Sequence, residues 1–326
     1  MKKLLNNLSA VTIGDINGVG IHILIKEWKK KKIKNFIIFS NVEIILSNLK
    51  NNIKKKEINI INSFEKEFNY KYNKLNIFNI DTKNIHSNSL KSLEYAYYHT
   101  KTNNLKGIIT LPLDKNLINK FADKNFIDHT TYFSNLENKK NTNMIFFHNN
   151  KFFIPLTIHI ELKSVYKIFK NKNLIINKIK SLNNSLIKDF NISKPKLIIA
   201  GINPHAGENG LISNDDKKYL NPIIKNLKNN KIDITGPISG DAIVNKNNLK
   251  NYDAFIFTFH DQALIPFKLL SQYKGINYTS NLSFIRISPS HGTAKDTIKN
   301  KQFSSLSILN CFKIINKIYK NRIKFD

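Results

Sequence analysis

Hydrophobic and polar residues follow one another in short blocks that predict strands alternating with helices. Short apolar runs, such as those at residues 36–40 and 254–258, are typical of buried strands. Segments with apolar residues at every third or fourth position, such as 21–30 and 306–321, predict amphipathic helices. Because strands and helices alternate, the pattern indicates an α/β fold with largely parallel sheets.

Two longer segments add detail to this prediction. Residues 142–162, "TNMIFFHNNKFFIPLTIHIEL", predict a hairpin-like pair of strands, the second of which runs on through the final "LTIHIEL". Residues 164–190 predict one long amphipathic helical region. The segments at 194–207 and 252–262 each predict a strand that leads into a loop.

Length and composition narrow the class of protein. The chain has 326 residues, which suits two domains, and no apolar run reaches the roughly 18 residues of a membrane span. The basic N-terminus is too short and too broken in its apolar part for a secretory signal. The single cysteine, Cys311, excludes an internal disulfide framework and suits a reducing cytoplasm. We therefore expect a cytoplasmic protein without a membrane partner.

The chain is strongly basic, with 52 Lys and Arg against 23 Asp and Glu and a formal net charge of +29. Such an excess of basic residues is typical of nucleic-acid-binding proteins. The lysines, however, occur in tracts mixed with Asn and Ile along the whole chain, which is typical of solvated faces and not of one binding face. We therefore do not expect nucleic acid as the functional partner, although the charge would attract phosphorylated substrates.

Three histidines follow apolar runs, at positions where parallel strands place ligand-binding residues. They are His159, His205 and His260. Three neutral imidazoles that converge from separate strand ends can bind a divalent metal and leave positions open for a substrate. Each of them alone could equally be an ordinary loop histidine.

Cationic and glycine-rich segments accompany these histidines. Lys268 and Arg286 suit a phosphate or carboxylate group, although so basic a chain places lysines near almost any position. Residues 14–20, "GDINGVG", match neither dinucleotide-binding nor P-loop spacing, so a tight structural turn is the preferred interpretation. Residues 288–296, "SPSHGTAKD", form a second glycine-containing loop that leads towards a helix.

In order along the chain, these segments resemble the 4-hydroxythreonine-4-phosphate dehydrogenase family of vitamin B6 biosynthesis. The matching stretches lie between residue 12 and about residue 296. They are "GDINGVG", "LPLDK", "DHTTYF", "LTIHIELKSV", "INPHAGENG", "GPISGDAIV", "YDAFIFTFHDQALIPFK" and "GINYTSNLSFIRISPSHGTAKD".

The resemblance implies two α/β/α domains of the isocitrate and isopropylmalate dehydrogenase-like type, with an active-site cleft between them. We expect residues 1–135 plus 285–326 to form the first domain, on the cofactor side. Residues 136–284 should form the second, on the metal and dimer side. The resemblance also implies a homodimer in which both subunits contribute metal ligands.

The resemblance assigns roles to residues of this chain. It implies metal ligands at His159, His205 and His260, and substrate contacts at His129, Thr130, Lys268, Asn277 and Arg286. The loop of His291, Gly292 and Thr293, with Asp296, would hold the cofactor, NAD or NADP. Lys268 is our hypothesis for proton transfer, and Asp241 and Asp261 are interpreted as carboxylates that orient metal-bound histidines. The cation would be Zn, Mg, Mn or Co.

The chain departs from the family pattern in the first loop and at one strand end. Ile13 and Ile16 stand where the family usually has Pro, and His22 replaces a Glu that is common there. The stretch "TLPLDK" replaces the usual Thr-Ala-Pro-Ile-Asn-Lys. These changes affect loop geometry and leave the expected metal ligands in place.

The implied reaction is metal-dependent oxidation of 4-phosphooxy-L-threonine by NAD or NADP, with decarboxylation to 3-amino-2-oxopropyl phosphate. One alternative is a dehydrogenase of the same family acting on threonate or erythronate 4-phosphate. A distant alternative is a basic nucleic-acid-binding protein without catalysis, for which binding would depend steeply on salt.

Overall fold

The protein is described here by a computed structural model that covers residues 2–65, 68–299 and 303–325. Contacts divide the chain into two units. The first unit consists of Met1–Phe133 and Ser283–Tyr319, and the second of Ser134–Leu282 and Lys320–Asp326. In this division Lys320–Asp326 group with the second unit, and the expected domain bounds, 1–135 plus 285–326 and 136–284, stay a prediction. The physical reason for this grouping is that Arg322 donates to Asp189 at 2.7 Å within the second unit.

The elements alternate as the hydrophobic pattern predicts. Up to residue 136 they are α1 (Lys2–Leu5), β1 (Ser9–Thr12), α2 (Val19–Lys29), β2 (Phe36–Ser40), α3 (Val42–Leu49), β3 (Ile58–Ile61), β4 (Leu75–Asn79), α4 (Ile85–Thr102), β5 (Ile108–Thr110), α5 (Lys115–Phe121) and α6 (His129–Leu136). The middle of the chain forms β6 (Met144–His148), β7 (Lys151–Pro155), α7 (Val165–Phe169), α8 (Lys172–Phe190), β8 (Leu197–Ala200), α9 (Asn221–Asn229), β9 (Ile234–Ile238), α10 (Lys246–Asn251), β10 (Ala254–Phe257), α11 (His260–Ser271) and β11 (Ile276–Thr279). The chain closes with β12 (Arg286–Pro289), α12 (Lys295–Lys299) and α13 (Leu306–Phe325).

The sheet of the first unit is parallel throughout. Its strands follow the order β3-β4-β2-β1-β5-β12, and every pairing is parallel. The carboxyl ends of β1, β5 and β12 are therefore neighbours. The loops that follow these three strands carry the two glycine-containing segments and the "LPLDK" stretch.

The second unit has a mixed sheet in the order β11-β6-β7-β10-β8-β9. Strands β6 and β7 form the predicted antiparallel hairpin, and β11 also pairs antiparallel with β6. The remaining pairings are parallel. Phenylalanines fill the core on this sheet, where the rings of Phe153 and Phe255 stack at 5.4 Å between centroids. The prediction of an α/β fold is confirmed.

Three details of the sequence prediction are wrong. Strand β7 ends at Pro155 and does not continue through residue 162, because His159 has a φ of 52°, which no strand accommodates. The long helical region is interrupted at Lys170 and Asn171, where Asn171 caps a new helix by accepting from Leu174 N. Residues after Phe259 form helix α11 and not a loop, so His260 begins a helix.

The sequence analysis did not identify strands β3, β11 and β12, because polar residues interrupt the few apolar positions of each: Asn59 in β3, Asn277 in β11, and Arg286 and Ser288 in β12. Within residues 2–65, 68–299 and 303–325, no helix combines the length and the apolar character that a membrane crossing requires.

Candidate active site

Arg286 forms the buried centre of a cationic group in the first unit. It is the first residue of β12 and only 2% exposed. Its Nε and Nη2 donate to Thr110 Oγ1 at 3.0 and 2.7 Å. Desolvation lowers the pKa of Arg286 to about 10, and the nearby Asp128 carboxylate opposes that shift. The guanidinium stays charged at neutral pH and has a fixed orientation, which suits recognition of a phosphate or carboxylate.

His129 lies beside this arginine at the start of α6. Burial, followed by the charge of Arg286, holds the pKa of His129 well below its ordinary value, so the imidazole is neutral at pH 7. Its Nε2 is enclosed without a hydrogen-bond partner among the described residues. Asp128 organises this helix start, because its Oδ1 accepts from the backbone N of Thr130 and Thr131 at 2.7 and 3.0 Å. A buried nitrogen without a partner is the kind of group that a bound ligand satisfies.

The glycine-rich segment after β1 forms a tight, packed turn, as the sequence analysis predicted. Gly14 has a φ of 65°, and a side chain there would begin 2.6 Å from Pro112 O. The next residue, Asp15, donates its backbone N to the same carbonyl at 2.8 Å. Only glycine meets both constraints at position 14.

The loop after β12 contains the residues that the resemblance assigns to the cofactor. His291 Nδ1 donates to Gly292 O at 2.9 Å, and its Nε2 is enclosed with no partner in the part of the chain described. At Gly292, no atom of the described residues lies within 4 Å of where a side chain would begin. Thr293 O accepts from Val19 N at 2.8 Å, and Asp296 is exposed in α12. Space beside Gly292 and an unsatisfied nitrogen on His291 fit a ligand that approaches this loop closely.

Two of the three predicted metal ligands lie side by side in the second unit. The ring centroids of His159 and His260 are 5.8 Å apart. His260 Nδ1 forms a 2.7 Å contact with Asp261 Oδ1, which leaves Nε2 for another ligand. This arrangement of carboxylate and imidazole is common around metal-bound histidines, because the carboxylate fixes the ring and its tautomer.

His205 lies in an unusual turn after β8. Five consecutive residues, His205 to Asn209, have left-handed backbone angles, with φ between 45° and 80°. Asp216 holds the start of this turn by accepting from the backbone N of Ile202 and Asn203 at 2.7 and 3.2 Å. Left-handed non-glycine residues are costly and are concentrated at functional sites.

The two predicted acid residues of this region are both exposed. A hydrogen bond from Ser239 is the main cause of the lowered pKa of Asp241, and the nearby His205 contributes to it. Asp261 is in contact with His260. Both placements suit the orienting role expected of these carboxylates, which stays a prediction.

Lys268 and Asn277 complete the set of predicted substrate contacts. Lys268 lies two turns beyond His260 on α11 and is exposed. Asn277 is in β11, and its Oδ1 is enclosed without a partner in the described ranges. An unsatisfied amide oxygen of this kind suits a contact with a ligand.

The histidine group of one chain does not form a complete metal site. Among the described residues, no set of three or more His, Cys, Asp and Glu side chains is placed to hold one metal ion. A surface pocket of about 580 Å³ lies elsewhere, lined by Trp28, Tyr70 and Lys74, where β2 and β4 begin. None of the predicted site residues lines it.

Sequence reasoning missed three residues that shape the first unit's site. Thr110 fixes the Arg286 guanidinium, and the Asp128 carboxylate stabilises its positive charge. Lys295 joins loops through ion pairs with carboxylates. Asp128 could have been found as a capping residue just before a helix, whereas nothing distinguishes Lys295 from the other lysines of the sequence.

These features define the class: a two-unit α/β protein with a buried arginine at the start of β12 in the first unit and histidines that follow strands of the second. A sequence profile of the family described as "Pyridoxal phosphate biosynthetic protein PdxA" matches residues 31–315. The chain belongs to this family and is an oxidoreductase.

Individual relatives agree with this assignment. A protein named 4-hydroxythreonine-4-phosphate dehydrogenase from Sulfurihydrogenibium sp. (strain YO3AOP1) is 34% identical over 88% of this chain and 90% of its own length. One of the same name from Hydrogenobaculum sp. (strain Y04AAS1) is 32% identical over 88% of this chain and 91% of its own. The crystal structure of the 4-hydroxythreonine-4-phosphate dehydrogenase from Klebsiella pneumoniae has the same fold, with a TM-score of 0.79. It is 24% identical, over 96% of this chain and 99% of that one.

Proposed function

We propose that the chain oxidises the C3 hydroxyl of 4-phosphooxy-L-threonine with NAD or NADP and releases 3-amino-2-oxopropyl phosphate and CO₂. Relatives at 34% and 32% identity bear the name of this dehydrogenase. The observation that carries the proposal within the structure is the pair of His159 and His260 rings, 5.8 Å apart in a chain of this family.

The first unit would bind the anionic ends of the substrate. Arg286 presents a fixed, buried guanidinium, and His129 presents an imidazole nitrogen without a protein partner. Thr130 lies one residue further on the same helix. A doubly charged phosphate would neutralise the positive charge of Arg286 and satisfy His129 Nε2, so binding removes two costs of the free state.

His159, His205 and His260 would hold one divalent cation. When bound, the cation supplies Lewis-acid polarisation of the reacting oxygen, and the nicotinamide supplies a hydride acceptor. Asp261 would keep the His260 ring in the orientation and tautomer that frees Nε2 for the cation. Asp241 would act on His205 in the same way.

Lys268 would move protons. Oxidation takes a hydride from C3 and a proton from the C3 hydroxyl, and loss of the carboxylate leaves C2 in need of a proton. An amine beside a dication loses its proton more readily, so Lys268 could accept the first proton and return one to C2. Lys268→Met should lower kcat, and a variant that raised only KM would assign Lys268 to substrate binding alone.

The loop after β12 would bind the cofactor. His291, Gly292 and Thr293, with Asp296, would contact the adenosine end of NAD or NADP. The enclosed His291 Nε2 and the space beside Gly292 support this assignment.

A homodimer with a shared metal site accords with the surface of the second unit. Ile265, Leu269 and Tyr273 lie four residues apart along and just beyond α11, and they are 71, 78 and 69% exposed. Large apolar side chains exposed in a row are typical of a surface that another protein covers. His260 begins the same helix, so a partner chain bound there would lie near the metal ligands.

The proposal is tested by NADH or NADPH production from 4-phosphooxy-L-threonine with and without a chelator, followed by addition of Zn, Mg, Mn or Co. We expect turnover that the chelator abolishes and a divalent cation restores. The same assay with threonate and erythronate 4-phosphates separates this reaction from its sister, because only the first substrate has an amino group. Faster turnover of either sugar acid would reassign the substrate, and chelator-resistant turnover would remove the metal from the proposal.

A further inference from the structure

Three loops of the first unit meet at the carboxyl ends of β1, β5 and β12. We call them the glycine loop (residues 13–18), the proline loop (111–114) and the cofactor loop (290–294). Asp15 N donates to Pro112 O, and Val19 N, directly after the glycine loop, donates to Thr293 O, both at 2.8 Å.

Lys295, the residue directly after the cofactor loop, contacts both of the other loops. Its Nζ is 2.8 Å from Asp114 Oδ2, with hydrogen-bond geometry, and 3.0 Å from Asp15 Oδ2 as an ion pair. One ammonium thus connects the ends of three strands. Such a connection restrains the loops relative to one another more than a pair within one loop would.

Each carboxylate divides its two oxygens between its own loop and the lysine. Asp15 Oδ1 accepts from Asn17 N at 2.9 Å, and Asp114 Oδ1 accepts from Leu117 N at 3.3 Å as the cap of α5. The Oδ2 atom of each residue is left for Lys295. Both carboxylates are therefore fixed before the lysine reaches them, which lowers the entropic cost of the contact.

Of the two carboxylates that pair with Lys295, Asp15 is the more buried. The Asp15 side chain is 6% exposed, whereas those of Asp114 and Lys295 are 27% and 38% exposed. The ion pair with Asp114 lowers the pKa of that carboxyl and raises the pKa of Lys295. Lys295 is charged at neutral pH, and without it Asp15 would keep a nearly buried carboxylate.

We propose that Lys295 is a positioning residue that locks the cofactor loop to the glycine and proline loops, so that His291 and Gly292 are held ready for the cofactor before it binds. This inference rests on the proposed cofactor role of that loop. Lys295 itself need not touch the cofactor. Its effect would be to reduce the ordering that binding otherwise requires.

The test compares Lys295→Met with the wild type and with Lys29→Met. Lys29 is a matched control, because its ion pair with Glu57 at 3.4 Å is in the same unit and the side chain is 41% exposed. Two measurements are made: hydrogen exchange of residues 290–294 in the cofactor-free protein, and direct titration of NADH and NADPH by fluorescence.

For Lys295→Met we expect faster exchange in residues 290–294 and a cofactor Kd raised about threefold to tenfold, the range expected from losing two partly exposed ion pairs. KM for the phosphorylated substrate should stay within about twofold. Lys29→Met should change none of these quantities. Lys295→Arg should recover most of the affinity, because it keeps the positive charge.

Asp114→Asn gives a second test, because Asn caps a helix as well as Asp does but lacks the charge. Asp114→Asn should raise the cofactor Kd when introduced into the wild type and should change it little when introduced into Lys295→Met, since both changes remove the same contact.

An unchanged rate of hydrogen exchange at residues 290–294 in Lys295→Met would overturn the proposal. Faster exchange with an unchanged cofactor Kd would also overturn it. A wild type that binds neither NADH nor NADPH would instead refute the proposed function, while the exchange measurement would still decide whether Lys295 locks the loop.

Discussion

The cationic group around Arg286 in the first unit and the histidine group of the second unit differ in how far a single chain completes them. Arg286 is 2% exposed and donates twice to Thr110, so its orientation is set before any ligand arrives. His260 and Asp261 are 35% and 76% exposed at their side chains, and in the described residues no third ligand completes a group with His159 and His260. The difference teaches that the first group is already fixed within one chain, whereas the second, as we propose, is completed by a cation and a second chain.

This contrast predicts that substitutions in the two groups will differ in their effects on stability. Removal of one member of a buried charge pair is costly, because the other charge is left buried without its partner. An exposed imidazole contributes little to folding, so its removal should affect catalysis alone.

The largest effect is expected from His260→Ala. Turnover should fall by about 10³-fold or more, because the protein would lose the proposed cation and the polarisation it would supply, and bound metal measured by mass spectrometry should fall with it. Tm should change by no more than about 2 °C. His148→Ala, at a half-buried site in the same unit, is the control. A stable His260→Ala protein that kept its metal and its turnover would show that this histidine is not a ligand.

The next effect is expected from Arg286→Met. KM for the phosphorylated substrate should rise about 100-fold, and unfolding should become easier by about 3 kcal/mol, because Asp128 and Thr110 lose a buried partner. Denaturant unfolding and steady-state kinetics measure the two quantities separately. Arg286→Lys keeps a charge and should lose less stability. If KM rose without any loss of stability, the two groups would not differ in the way described.

A smaller effect is expected from Asp261→Asn. The amide still contacts His260 but no longer stabilises a partial positive charge on the ring, so metal affinity should fall about tenfold. Competition with a fluorescent chelator measures this affinity. Asp253→Asn is the control, because Asp253 lies before β10 and His260 lies after it, and its carboxylate accepts from Lys196 N at 2.9 Å. Equal affinities in Asp261→Asn and the wild type would leave Asp261 without an orienting role.

The smallest effect concerns pH and a histidine with no role in the site. His99 packs against Phe64 and Phe78 at 4.6 and 4.5 Å between ring centroids, and burial lowers its pKa from 6.5 to about 4. The unfolded chain binds a proton below pH 6.5 that the folded chain does not bind until about pH 4. The stability that His99 contributes is thus present above pH 6.5 and lost as pH falls towards 4.

His99→Phe should therefore flatten the fall in Tm between pH 6.5 and pH 4. His86→Phe, where the ring already stacks on Phe121 at 4.9 Å, is the control. Identical pH profiles for His99→Phe and the wild type would show that His99 is as accessible to protons in the folded protein as in the unfolded chain.

The sequence predicted the fold class and several element positions because hydrophobic periodicity is a local property. It failed at the end of β7, because the left-handed angle of His159 is imposed by the surrounding structure. It also failed to show that α11 begins at His260, since no capping side chain precedes that residue and Phe259 stands at the cap position. Pro266 lies inside the same helix, which further weakens its sequence signal.

The candidate site was predicted as a set of residue types, not as a geometry. Strand ends indicated the three histidines, and the resemblance supplied the roles of Arg286 and His291. The unsatisfied nitrogens of His129 and His291 could not have been foreseen, because a missing hydrogen-bond partner is a property of the packed chain. The contacts of Lys295 with Asp15 and Asp114 join residues far apart in sequence, so they too appear only in the folded protein.

The most direct test of the central claim mixes subunits that each lack one histidine. Inactive His159→Ala, His205→Ala and His260→Ala proteins are unfolded, mixed in pairs and refolded. If His159 and His260 belong to one chain and His205 to its partner, both mixtures that include His205→Ala should recover up to about a quarter of wild-type turnover. Half of the dimers are then mixed, and one of their two sites is intact. The mixture of His159→Ala with His260→Ala should stay inactive. Failure of all three mixtures, from proteins shown to exchange subunits, would contradict a site shared between chains.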